Sequence, residues 1–223
     1  MKPVLLTILF YFASFQLNAQ STPVVPADSI TDKVFDKVDI EAAFPGDMNG
    51  WRRFLEKNLN ANVPADNGAP VGMYTVFVQF VVDKQGNVSD IKALTSNGYG
   101  MEEEVIKVIK RSGAWTPASQ NGRPVKAYRK QPVTFILTGD DFDVETQIPY
   151  KLVLNKDNRV VVNVTKVPAE NIEVSVPEGV LVRNSDGSYT IHPVKKGRLV
   201  ITIRNTKKQK EVGKVSFQII DQP

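Results

Sequence analysis

Tyr74-Thr75-Val76-Phe77-Val78-Gln79-Phe80-Val81-Val82-Asp83-Lys84-Gln85-Gly86-Asn87-Val88 is the stretch that decides the fold. Tyr74, Val76, Val78, Phe80 and Val82 recur at every second position, the period of a strand that buries one face. Thr75 and Gln79 leave the opposite face mixed. Asp83-Lys84-Gln85-Gly86-Asn87 supplies turn residues, and 88–94 returns as an antiparallel partner. The stretch is a hairpin.

Working outward, Trp51, Phe54, Leu55 and Leu59 fall at helical spacing, with Arg52, Arg53, Glu56 and Lys57 on the other face. Downstream, Met101-Glu102-Glu103-Glu104-Val105-Ile106-Lys107-Val108-Ile109-Lys110 carries acids first and lysines last, as the helix dipole favours. Its buried stripe is expected to be Met101, Val105, Val108 and Ile109, and Gly113 stops it. Trp115 reads as a core anchor, since burying a side chain of that size contributes about 4 kcal/mol. Pro132-Val133-Thr134-Phe135-Ile136-Leu137 gives a third strand. The expectation is an α+β domain over 35–138, with two helices on a three-stranded antiparallel sheet.

The acidic run Gly139-Asp140-Asp141-Phe142-Asp143-Val144-Glu145 reads as a linker over 139–147, lacking the ligand spacing of a calcium loop. Beyond it, 151–154, 160–164, 172–176, 188–191, 199–203 and 215–219 are short strand candidates separated by turn signals such as Pro177-Glu178-Gly179 and Ser185-Asp186-Gly187. They predict a small all-β sandwich domain over 148–223. At the other end, Lys2 precedes an apolar run that closes on Leu17-Asn18-Ala19, a small-residue cleavage pattern. Residues 1–19 are expected to be a signal peptide and 20–34 a flexible leader containing Pro23 and Pro26. The alternative is an inner-membrane anchor facing the periplasm, though the run is shorter than the ~20 residues of a spanning helix.

Composition narrows the function. The chain has no cysteine, so disulfides, thiol nucleophiles and thiolate metal sites are excluded. Its net charge of +4 is spread out, apart from Lys207-Lys208-Gln209-Lys210, which reads as a solvated hairpin cap, so nucleic acid is not an expected partner. His192 is the single histidine and has no Ser–His–acid set around it. Glu102, Glu103 and Glu104 read as a solvated helix start, not as catalytic carboxylates. Gly122-Arg123-Pro124 lacks the composition of a phosphate loop. The reading is a non-enzyme with no catalytic residues, no metal and no cofactor.

The pieces Phe44-Pro45-Gly46, 51–59, 78–90, Trp115-Thr116-Pro117-Ala118, 121–125 and Pro132-Val133-Thr134-Phe135 stand in the order and spacing of the TonB C-terminal domain, which the first unit resembles. That resemblance implies a domain that grips a short extended segment of an outer-membrane TonB-dependent receptor by pairing it with the sheet, in transmembrane transport. Val63-Pro64 stands where the family often has Tyr-Pro, and a further domain follows where TonB domains usually end. The second unit, through 167–172 and 186–191, resembles the small β domains of gliding-motility and secretion shaft proteins. Gln131, Pro132, Val133, Thr134, Phe135, Ile136 and Leu137 form the candidate edge strand for a partner. Six backbone hydrogen bonds at ~0.5–1.5 kcal/mol each would give about 3–9 kcal/mol before ordering costs. The competing expectation is that the downstream domain or a second copy covers this edge. The expected partner is the receptor, with a homodimer or other envelope proteins as further classes. The expected location is the periplasm, and the alternative function is a structural docking component of a gliding or secretion assembly.

Overall fold

The protein is described by a computed structural model covering residues 33–222, and the expected signal peptide and nearly all of the leader lie outside these residues. The first region runs α1 (Asp47–Asn58), the single-turn α2 (Val63–Asp66), β1 (Val71–Val82), β2 (Val88–Ala93), α3 (Met101–Lys110), the short pair β3 (Ala118–Gln120) and β4 (Arg123–Val125), and β5 (Ala127–Leu137). β1 is flanked by β2 on one side and by β5 on the other, antiparallel to both. Its ladder with β5 runs unbroken from Gly72↔Leu137 to Val82↔Ala127. Tyr74, Val76, Val78, Phe80 and Val82 are at most 1% exposed, as their alternation requires.

The hairpin turn is held by Asp83, whose Oδ1 accepts the backbone N–H groups of Gln85 and Asn87 at 2.8 Å. Burial works to raise the Asp83 carboxyl, but these bonds, together with one from the Asn87 side chain, outweigh it and hold the group below its ordinary value. Gly86 takes φ 87° here, and a Cβ on it would lie 2.1 Å from the Trp115 carbonyl oxygen. The turn is therefore closed onto Trp115. The Trp115 ring meets Phe80 at 4.9 Å and Phe44 at 5.5 Å between centroids, and its Nε1 donates to Ser112 Oγ at 2.8 Å. Met101, Val105, Val108 and Ile109 of α3 are fully buried, and all but Val108 belong to the same core cluster as Trp115.

Glu102 and Glu104 depart from the solvated reading. Both are buried. Glu102 accepts the Asn97 and Gly98 backbone N–H groups at 2.7 and 3.2 Å, and Glu104 accepts the Asn60 N–H at 2.9 Å and pairs with Lys107. They satisfy loop donors that the sequence alone does not place beside them.

The second region comprises β6 (Phe142–Thr146), β7 (Lys151–Val153), β8 (Asn158–Val164), β9 (Ile172–Ser175), β10 (Val180–Arg183), β11 (Tyr189–His192), β12 (Gly197–Asn205) and β13 (Lys210–Ile220). One sheet contains β9, β12, β13 and β7; the other has the order β10-β11-β8-β6. Leu152, Val160, Ile191, Ile201, Ile203, Val215 and Phe217 belong to the core cluster of this region and are at most 1% exposed. The acidic segment is not a linker. Phe142, Val144 and Thr146 alternate with the exposed Asp143 and Glu145, and β6 pairs with β8 from Phe142↔Val164 to Thr146↔Val160. The Phe142 ring lies over Gly213, where a Cβ would stand 2.3 Å from it.

The three-stranded sheet does not stand alone. β13 pairs in parallel with the start of β1, Val71↔Val215 and Gly72↔Ser216, joining a seven-stranded sheet ordered β2-β1-β13-β12-β9, with β5 on β1 and β7 on β13. Two residue pairs of parallel strand carry no local sequence pattern, so this join is visible only in three dimensions. Residues 34–222 form one compact unit.

Candidate partner-binding edge and the junction beside it

The β1–β5 ladder has two outer sides, and they are built differently. On the side away from β5, β1 is paired with β13 at its start and with β2 from Val78 onward, which leaves 73–77 between them. Side chains fill that gap. Arg198 of β12 donates from both terminal nitrogens to the Met73 carbonyl at 3.3 Å, and Asn97 Nδ2 donates to the Thr75 carbonyl at 3.0 Å. The Phe77 N–H donates to Thr95 Oγ1 at 3.1 Å, while its carbonyl accepts the Leu94 N–H at 2.7 Å.

Arg198 ties the regions together. Its guanidinium lies 4.0 Å from the Tyr74 ring centroid and also donates to Asn97 Oδ1 at 3.0 Å and Ser216 Oγ at 3.2 Å. Asn97 is in turn held by Glu102. Burial pushes the Arg198 pKa below its ordinary value, opposed by Tyr74 and Glu102, and burial pushes the Tyr74 phenol up. The planar fork of an arginine can meet a carbonyl, a carboxamide and a hydroxyl at once. Gly72 is the second requirement, because a Cβ there would stand 2.7 Å from the Ser216 carbonyl oxygen. The sequence reading missed both residues. A glycine at the second position of an otherwise apolar strand was the available signal for a close backbone approach.

The outer side of β5 is open. Only its beginning is paired there: the Phe35 N–H donates to the Lys126 carbonyl at 2.9 Å, and the Tyr128 N–H donates to the Phe35 carbonyl at 3.0 Å. Because backbone direction alternates along a strand, even-numbered residues of β5 turn their N–H and C=O groups outward. Among the described residues no strand pairs with that side beyond Tyr128. Of the seven sequence-selected residues, Pro132, Thr134 and Ile136 present outward backbone, and Gln131, Val133, Phe135 and Leu137 turn theirs to β1. The latter four side chains are buried and the former three exposed. Pro132 faces Phe77, whose backbone groups are spent on Thr95 and Leu94, so the ladder loses no bond to the missing N–H.

His192 is bonded to Asp157 at 2.9 Å on the surface, and its ring is far in sequence and element from β5. Among the described residues no group of three or more His, Asp or Glu side chains is placed to hold a metal ion. No helix among them is long and apolar enough to cross a membrane.

Two family models match the chain. Residues 75–137 match the Gram-negative bacterial TonB protein C-terminal family, and residues 143–220 match the GldM third domain, a gliding-motility component. The first region is thus similar to the TonB C-terminal family and the second to the GldM third domain. No curated protein is significantly similar to the chain. Among solved structures, surface layer protein SbsC, domains 1–6, is similar at 13% identity over 74% of this chain and 21% of that one, with a TM-score of 0.25. The chain thus spans about a fifth of that protein.

Proposed function

We propose that this chain is a non-enzymatic, periplasmic protein-binding module of TonB type. An extended segment of an outer-membrane TonB-dependent receptor adds to the outer edge of β5, in TonB-dependent transmembrane transport. The observation that supports this reading is the unpaired outward row of Pro132, Thr134 and Ile136, in a region that matches a family whose members engage outer-membrane receptors or other envelope proteins. Pro132 removes one donor, so these three residues offer two N–H groups and three carbonyls. At ~0.5–1.5 kcal/mol per bond, five bonds give roughly 2.5–7.5 kcal/mol before ordering costs, which corresponds to micromolar or weaker binding. The chain reaches the periplasm by a cleavable signal peptide. A second copy of the chain is the other class of strand donor for the same edge.

The second reading is a structural docking component of a gliding or secretion assembly, favoured by the GldM third-domain match and by Val180 and Val182 of the edge strand β10, 56% and 50% exposed. A photo-crosslinking residue placed at Ile136, and separately at Val182, distinguishes the two in cells. The receptor reading expects an outer-membrane receptor on Ile136. Crosslinks to envelope proteins only from Val182, with none to a receptor from Ile136, would replace it with the second.

A further inference from the structure

Three rows of side chains cross the face of the first region's sheet that is turned away from the core. The β1–β5 register sets Phe77 beside Pro132, Thr75 beside Thr134 and Met73 beside Ile136. Side chains directly opposite one another in an antiparallel pair share a face. This is the solvent face, because Tyr74, Val76, Val133 and Phe135 take the other one and are buried. Leu94, one step past the Val78↔Ala93 pair, stands opposite Phe77, donates its N–H to the Phe77 carbonyl and lengthens the first row. Phe77, Leu94 and Ile136 are 44%, 47% and 61% exposed, so the two outer rows hold large apolar surface in water. The middle row is polar, with the Thr75 and Thr134 hydroxyls bonded to each other at 3.0 Å.

All three rows end at the outer edge of β5. A strand added there lengthens each row by one residue, about 4.8 Å farther out, and supplies every second side chain of its own to this face. The outer rows favour an apolar side chain, which covers part of the exposed Ile136 or of the Phe77–Pro132 pair. The middle row favours a hydroxyl. Of two hydroxyls joined by one hydrogen bond, one still has its O–H to give, and a serine or threonine beside Thr134 continues the chain. One step beyond the rows, Lys130 stands opposite Gln79 and takes no part in them. We propose that these rows select the extended segment that adds to β5, admitting apolar, Ser or Thr, and apolar side chains at alternate positions. The order reads the same from either end, so it holds for a parallel and for an antiparallel segment. The assignment deepens the strand-addition reading and rests on it.

The test adds synthetic segments with blocked ends to the full chain, labelled with 15N throughout and with 13C in the isoleucine methyl groups. The reference segment interleaves glutamine with valine, threonine and valine, and the altered one carries serine in place of both valines. The reference segment is expected to shift the Thr134 and Ile136 amides and the Ile136 methyl signal, and the serine segment to bind about fivefold more weakly. Ile136→Ser changes an exposed side chain and keeps the outward backbone, so it is expected to weaken the reference segment about threefold. An unmoved methyl signal from the buried Ile109 reports an intact fold in that variant. Equal affinity for the two segments, or amides that shift while the Ile136 methyl stays fixed, overturns the row assignment and leaves strand addition standing. Amides that respond to neither segment overturn strand addition, and the assignment with it. Amides that shift with chain concentration alone place a second copy on the rows and overturn their assignment to an incoming segment.

Discussion

The two sides of the β1–β5 ladder belong to the same sheet, yet one is sealed and the other is not. On the junction side, the backbone groups of 73–77 are met by Arg198, Asn97, Thr95 and Leu94. On the β5 side, Phe35 covers the first residues and the chain then turns away, so that Ile40 bridges to Ser119 instead. An exposed strand edge is a liability that proteins usually blunt. Here Lys130 and Pro132 blunt it in part, and the donors of Thr134 and Ile136 remain. The second region is thus attached on the side of β1 away from β5, and the outer side of β5 is left open.

Changes at the junction should have the largest effect on stability. Arg198→Ala removes charge-assisted bonds worth ~1.5–3 kcal/mol and a cation–π contact of ~1 kcal/mol, so a loss of about 2–4 kcal/mol is expected in urea unfolding. Arg198→Lys should recover less than half of it, because an ammonium cannot reproduce the fork. Gly72→Ala forces β1 and β13 apart at the Ser216 carbonyl and should cost about 1–3 kcal/mol. If either variant unfolds as the wild type does, the two regions do not depend on this seam.

A smaller effect separates the helix layer from the junction. Hydrogen bonds from Lys107 and Asn60 hold the Glu104 carboxyl below its ordinary value of 4.5 despite opposing burial. A carboxyl whose folded pKa is depressed stabilises the fold fully above its unfolded value and loses that contribution as pH falls through the folded one. Glu104→Gln should therefore cost on the order of 1–2 kcal/mol at neutral pH, and the difference from wild type should shrink as pH drops below about 4.5. A difference that stays constant with pH would mean that the carboxylate charge contributes nothing. The smallest stability change belongs to the open side. Ile136→Pro removes an outward donor at an exposed position and leaves the β1 ladder intact, so stability should move by about 0.5 kcal/mol or less, while receptor-segment affinity should fall about tenfold.

The strands with strict alternation were legible in the sequence, and so was α3, because burial on one face imposes a period that residues 74–82 and 101–110 display. The acidic β6 was misread because its charges drew attention away from Phe142, Val144 and Thr146, which alternate as any half-buried strand does. β10 was missed because Val180 and Val182 face outward and its edge position leaves no buried stripe. The candidate edge was legible as a segment, but which of its residues face outward depends on the Phe35–Tyr128 bond, a contact across 93 positions. The same holds for Arg198, which meets Met73 across 125 positions. Local pattern specifies the elements, and long-range polar contacts specify which edges are left open.

The most direct test of the open edge is amide hydrogen exchange along β5, residue by residue, in the free chain and with the receptor segment bound. In the free chain Val133 and Phe135, bonded to β1, should exchange slowly while Thr134 and Ile136 exchange quickly; binding should slow Thr134 and Ile136 by at least tenfold. Protection of Thr134 and Ile136 in the free chain, or fast exchange that persists in the bound state, would contradict strand addition at β5.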